Sequence, residues 1–168
     1  WPNPPGKKAE SGLLPSGTTA PARPDEVRFA NASMRGRSAS RARRVFSVLM
    51  SSAIPQEFRK FALLHDASEA YMNDIASPIK QSLPDYKKIE DGVQKVIAEK
   101  FGIPYPFPAI VHEYDKRILM DERAQVIGEF LPGWSHEYES LGITIPGWGY
   151  KKAEREYLKR WEQVKNDD

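Results

Sequence analysis

An all-α fold is predicted by three observations. Apolar residues recur at helical spacing in four separate stretches, no stretch alternates convincingly as a half-buried strand would, and proline-containing breaks separate the periodic stretches. The first stretch is Gln56–Met72, where Phe58, Phe61, Ala62, Leu64, Ala67 and Ser68 fall near one face and Pro55 sits where a first helical turn tolerates it. Met72-Asn73-Asp74 ends or bends that helix. Ile75–Leu83, with Ser77-Pro78, is a connector with room for one short helix. Asp85–Phe101 follows, with Ile89, Val93, Val96, Ile97 and Phe101 as its expected buried stripe and Gly102 as its stop. Pro104, Pro106 and Pro108 break the chain before a helix over Ala109–Phe130, with Ile110, Tyr114, Ile118 and Val126 facing inward. Pro132–Tyr150 is a Gly/Pro/aromatic loop. Lys151–Val164 is a last amphipathic helix using Ala153, Tyr157, Leu158, Trp161 and Val164.

Ahead of these lies a stretch of different character. Residues 1–44 are rich in Pro, Gly, Ser, Ala and Arg and show neither period, so they bury too little apolar surface to offset their ordering entropy. They form an irregular basic segment, with a short helix near Ser38–Met50, and residues 45–168 form the helical domain. Residues 1–45 carry nine Lys/Arg against Glu10, Asp25 and Glu26, a net +6 that leaves −4 for the rest of a chain of net charge +2. Such a segment could meet a polyanion, but a solvated stretch is the simpler expectation, so no nucleic-acid partner is predicted. With 168 residues, one domain of ordinary soluble composition is expected. No apolar run is long enough to span a bilayer, and no signal peptide is read. The chain has no cysteine, which removes disulfides and thiolate ligands and fits a cytoplasmic location.

The chemistry concentrates in Leu63-Leu64-His65-Asp66-Ala67-Ser68-Glu69-Ala70-Tyr71. Adjacent His and Asp supply a nitrogen and an oxygen ligand side by side, and an unpaired carboxylate would be costly in that apolar setting. A divalent cation is the usual reason for the pair. Without thiolates, the ligands are His and carboxylates, which suit Mn, Co, Fe, Ni, Zn or Mg alike. Glu69, three residues after Asp66, is expected on the same side of the helix.

Leu63–Tyr71, Asn73-Asp74-Ile75, Ser77-Pro78-Ile79-Lys80, Leu83-Pro84-Asp85-Tyr86, Ile89-Glu90 and Val111-His112-Glu113-Tyr114-Asp115 together resemble the HD-domain phosphohydrolases. The nearest branch is the small bacterial and phage type similar to the 5′-deoxynucleotidases. The resemblance is dense from Gln56 to Ile127 and weaker in Ala153–Trp161. It implies a helical bundle around a central metal, with His65, Asp66 and Asp115 as ligands, Glu69 and Asp74 serving the attacking water, and Lys80 placed to meet a phosphate. It implies an enzyme: a metal-dependent hydrolase of a nucleotide or another small phosphate ester. Homo-oligomers are compatible with it.

One element of the family's pattern is missing. Its first ligand is a His on an early helix, whereas Phe46-Ser47-Val48-Leu49-Met50 stands in the corresponding place and no His precedes His65. Residues 1–45 also depart from the family's N-terminal part, through divergence or through a shifted reading frame upstream of about Val45. The alternative expectation is therefore a degenerate HD domain, acting as an inactive binding or scaffold protein.

Overall fold

The computed structural model describes residues 39–72, 75, 77–127 and 138–167. Among these the chain is helical, with no strand, and no helix is long and apolar enough to cross a membrane. The elements are α1 (Ala39–Ala53), a 3₁₀ turn (Gln56–Phe58), α2 (Arg59–Leu64), a second 3₁₀ turn (Ala67–Ala70), α3 (Ser77–Gln81), α4 (Pro84–Phe101), α5 (Ala109–Glu122), a π turn (Arg123–Ile127) and α6 (Tyr150–Val164).

α1 is longer than the sequence suggests and runs unbroken through the point where composition changes. Its inner face explains why. Val45, Val48 and Met50 are buried, and so are Arg44, Ser47 and Ser51. Pro55 then ends it, because a proline nitrogen cannot continue the ladder. α1 packs on α2 and α6, and α4 packs on the turn at 67–70. The common core draws on all of them: Met50, Leu63, Leu64, Ile97, Val111 and Trp161 belong to one cluster. Phe101 and Trp161 meet edge to face at 5.0 Å between centroids.

Polar side chains tie the layers. The buried Tyr157 hydroxyl of α6 donates to the Leu63 carbonyl at 2.9 Å. Arg160 reaches across to Ser51, on both its hydroxyl and its carbonyl oxygen. The Asp121 carboxylate, at the end of α5, accepts from the amides of Leu141 (2.9 Å) and Ile143 (3.1 Å), and Gln125 accepts from Ile145. These bonds hold the described part of the late loop against the π turn.

Three expectations need correction. The helix drawn over Gln56–Met72 is broken into a 3₁₀ turn, α2 and a second 3₁₀ turn, with His65 and Asp66 in the gap. The buried stripe of α4 is Gln94, Ile97, Ala98 and Phe101; Ile89 and Val96 lie outward, 59% and 64% exposed. The third helix stops at Glu122 and widens into the π turn, with Val111, Ile118, Met120 and Asp121 as its buried residues. Ile110 and Tyr114 are half-buried against the core; the side chain of Val126 lies outside the described residues. α6 follows its expectation closely, with Ala153, Tyr157, Trp161 and Val164 buried.

Candidate functional site

The break at His65-Asp66 has a local cause. In a continuous helix the Ser68 amide would donate to the Leu64 carbonyl. Here the Gln94 side chain is inserted between them: its Oε1 accepts from the Ser68 amide and its Nε2 donates to the Leu64 oxygen, both at 2.9 Å. Gln94 is 6% exposed, and its amide replaces one helical bond by two. A side chain placed in the i→i−4 ladder opens a helix at that point. Asp66 accordingly leaves helical geometry, at φ −100° and ψ 19°. The Glu69 amide bonds back to the Asp66 carbonyl at 3.1 Å, so the chain continues as 3₁₀. Residues three apart eclipse in that geometry, which keeps Asp66 and Glu69 on one side.

His65 is oriented by the wedge and by its own helix. Its Nδ1 lies 2.8 Å from the Ala62 carbonyl, and an oxygen there calls for a proton on Nδ1. That turns Nε2 outward, 3.0 Å from Asp66 Oδ2 and 3.4 Å from Asp115 Oδ1. Asp115 comes from α5, so two distant segments converge on one imidazole nitrogen. Neither carboxylate oxygen makes a well-formed hydrogen bond to Nε2, which is fully buried. Burial opposes a charge on His65, but the Asp66 and Asp115 carboxylates outweigh it and hold the imidazole pKa well above its usual range. Burial likewise raises Asp66, and the adjacent His65 outweighs that and brings it below the ordinary carboxylate value.

Among the described residues, no three His, Cys, Asp or Glu side chains are set around a common point where one ion would touch all of them. Instead, Asp66 and Asp115 each approach His65 Nε2. The donor set nevertheless fits a borderline divalent cation. Neighbouring ligands on an ion held at about 2.0–2.1 Å stand roughly 2.9–3.4 Å apart, the range of the two distances from His65 Nε2. The Asp115 side chain is half exposed.

A cavity of about 270 Å³ opens beside this group, lined by His65, Asp66, Ser68, Glu69, Lys80, Lys87, Glu90 and Gln94, with Tyr105, Phe107 and His112 among the rest. Glu69 is on its wall, but its carboxylate is paired with the Arg43 guanidinium of α1. Lys80 is also on the wall, 2.8 Å from Glu90 and 6.0 Å from the Tyr86 ring centroid. Asp74 lies outside the described residues. Tyr105 donates to Asp91; burial and that carboxylate push its phenol up to about 12.

Phe46 is not among the residues that line this space. It borders a different cavity with Val45, Glu122, Gln125 and Trp148, while Arg43, Arg44 and Ser47 of the same helix border a small cavity at Asp66. Sequence reasoning missed Arg43 and Gln94. Arg43 was hidden in a run read as solvated. Gln94 has a visible signal, a lone amide among Val93, Val96 and Ile97, but the expected stripe takes in Ile89 and Val96, which face outward, and leaves Gln94 out.

Over 77 residues the chain is 47% identical to the uncharacterized protein YfdR of Escherichia coli (strain K12). The match takes in 46% of this chain and 43% of that protein, so the chain spans less than half the length of the relative it matches. No family model matches the chain. No solved structure matches it either.

Proposed function

We propose that the chain is an HD-type metal-dependent phosphohydrolase acting on a nucleotide or another small phosphate ester. The observation that carries the reading is the convergence of Asp66 and Asp115, from separate helical segments, on the buried Nε2 of His65. The order of residues around that group supports it as well: Glu69 and Lys80 share the adjoining cavity.

In this reading His65, Asp66 and Asp115 hold the cation, which when bound lowers the pKa of a water and polarises a phosphoryl oxygen. The Ala62 carbonyl keeps Nδ1 protonated, so Nε2 offers its lone pair to the site. Glu69, paired with Arg43, takes the proton from the attacking water. Lys80 and Lys87 attract the phosphate and orient it. Gln94 sets the backbone from which His65 and Asp66 project. The cavity holds a nucleoside monophosphate or something smaller.

The deciding experiment is the metal content of the purified protein by mass spectrometry, beside an Asp66→Ala control. Near-stoichiometric metal that disappears in the control is the expected result, followed by phosphate release in a nucleotide screen. No metal in either protein, even after incubation with Mn or Co, would overturn the assignment. It would favour a domain that kept the fold as a binding or scaffold module. The pairing of Glu69 with Arg43 is the observation on that side, because it occupies the carboxylate assigned to the water.

A further inference from the structure

α4 has a second face. Its inner face supplies the core and the Gln94 wedge; its outer face carries an exposed stripe of Ile89, Gly92 and Val96, at spacings of three and four, bordered by Val93, which is half-buried against the core. Ile89 is 59% exposed and Val96 is 64% exposed, and Tyr71, 56% exposed, extends the patch from the end of the second 3₁₀ turn. Together they line an open groove of about 530 Å³ whose surface is almost wholly apolar. Solvent-facing helix residues are ordinarily polar, and a contiguous apolar patch marks an interaction surface.

We propose that this face pairs with the same face of a second copy, the two α4 helices running antiparallel. Three features fit a twofold contact, which requires a self-complementary surface. With the axis beside Gly92 and Val93, Ile89 comes level with Val96 of the partner subunit. Gly92 lies at the centre, where an added Cβ would meet nothing within 4 Å, so the backbones can approach closely. At the ends, exposed Asp85 comes level with Lys100 of the partner subunit, twice by symmetry. A parallel pairing would set Asp85 against Asp85 and Lys100 against Lys100, so the charge pattern selects the antiparallel one. The charges at the helix ends follow the helix dipole, and antiparallel dipoles also attract.

A contact built mainly on one helix pair is smaller than a standard interface, so dissociation constants on the order of 10–100 µM are expected. The contact is independent of any activity and needs no metal.

Sedimentation equilibrium of the full chain, from about 5 to about 500 µM to bracket that range, tests the proposal. Wild type should pass from monomer to dimer. Val96→Glu puts two carboxylates into the apolar contact and should weaken association about 100-fold or more. Asp85→Lys should weaken it about tenfold, and Asp85→Lys combined with Lys100→Asp should restore it. Circular dichroism of each variant confirms that the monomer is folded, as expected for changes at exposed positions. A wild type that stays monomeric throughout would overturn the proposal, and would mean that another part of the chain covers the stripe. A dimer that survives Val96→Glu, or a double reversal that fails to recover association, would overturn it as well.

Discussion

Replacing Gln94 by Met tests the wedge directly. The two side chains have similar length, so the core position stays filled while both amide bonds are lost. The Ser68 N–H and the Leu64 C=O, both in buried bonds, are left facing each other across an apolar group. Each orphaned backbone group costs about 1–3 kcal/mol. The backbone can recover part of this by drawing Ser68 toward Leu64, so a net loss of about 2–4 kcal/mol is expected. For a chain of this length that is a fall in Tm of roughly 4–16 °C. Recovery of the helical bond would swing Asp66 out of its present geometry, so metal binding should fall along with stability. Thermal and urea unfolding, read beside the metal content, separate the two effects. Stability within about 0.5 kcal/mol of wild type, together with unchanged metal content, would refute the reasoning.

Gln94→Glu sharpens the same test through pH. The introduced carboxyl still accepts from Ser68, but only its protonated form can donate to Leu64. Burial and the facing carbonyl raise its folded pKa above the unfolded value of about 4.3. A group shifted this way contributes stability that is complete below the unfolded pKa and is lost as pH rises through the folded one. The gap to wild type should therefore be narrowest near pH 4 and widen toward neutrality.

Other expectations follow from single contacts. Glu69→Gln should keep the metal but lower phosphate release by about 100-fold or more; loss of metal, or retained turnover, would contradict its role. Tyr157→Phe orphans the Leu63 carbonyl and should cost about 1–2 kcal/mol in urea denaturation; a loss under 0.5 kcal/mol would mean the hydroxyl bond matters little. Asp121→Asn turns an acceptor of two amides into a group that can accept only one, at about 1–3 kcal/mol. Hydrogen exchange at Leu141 and Ile143 should accelerate, and unchanged protection there would show that the loop is held by other contacts.

How legible the molecule is from its sequence depends on how local each cause is. α6 is legible because one stripe, Ala153, Tyr157, Trp161 and Val164, faces the core and charged residues fill the rest. α4 carries apolar residues on two faces, and periodicity alone does not separate them: Ile97 and Phe101 are buried as expected, Ile89 and Val96 are not, and the inner face includes a glutamine that a count of hydrophobic residues passes over. The break at His65-Asp66 was not legible at all, because its cause is a side chain 30 residues away. The candidate ligands come from the ordered motifs, and His65 Nε2 lies 3.0 Å from Asp66 and 3.4 Å from Asp115. Arg43 was missed because composition describes a segment's average, whereas one guanidinium in reach of Glu69 is a matter of tertiary position.

The consecutive carbonyls of Leu63 and Leu64 are held by side chains 94 and 30 residues further along the chain. The nine-residue motif is therefore contiguous in sequence but late in assembly. During synthesis it emerges long before the helices that shape it, and until Gln94 and then Tyr157 dock it lacks both clamps. Local helix propensity would carry the nascent segment straight through Asp66 as ordinary helix. The site would then take form by a helix being opened in the last stages of folding, and a chain stalled before α6 would carry the whole motif without its geometry.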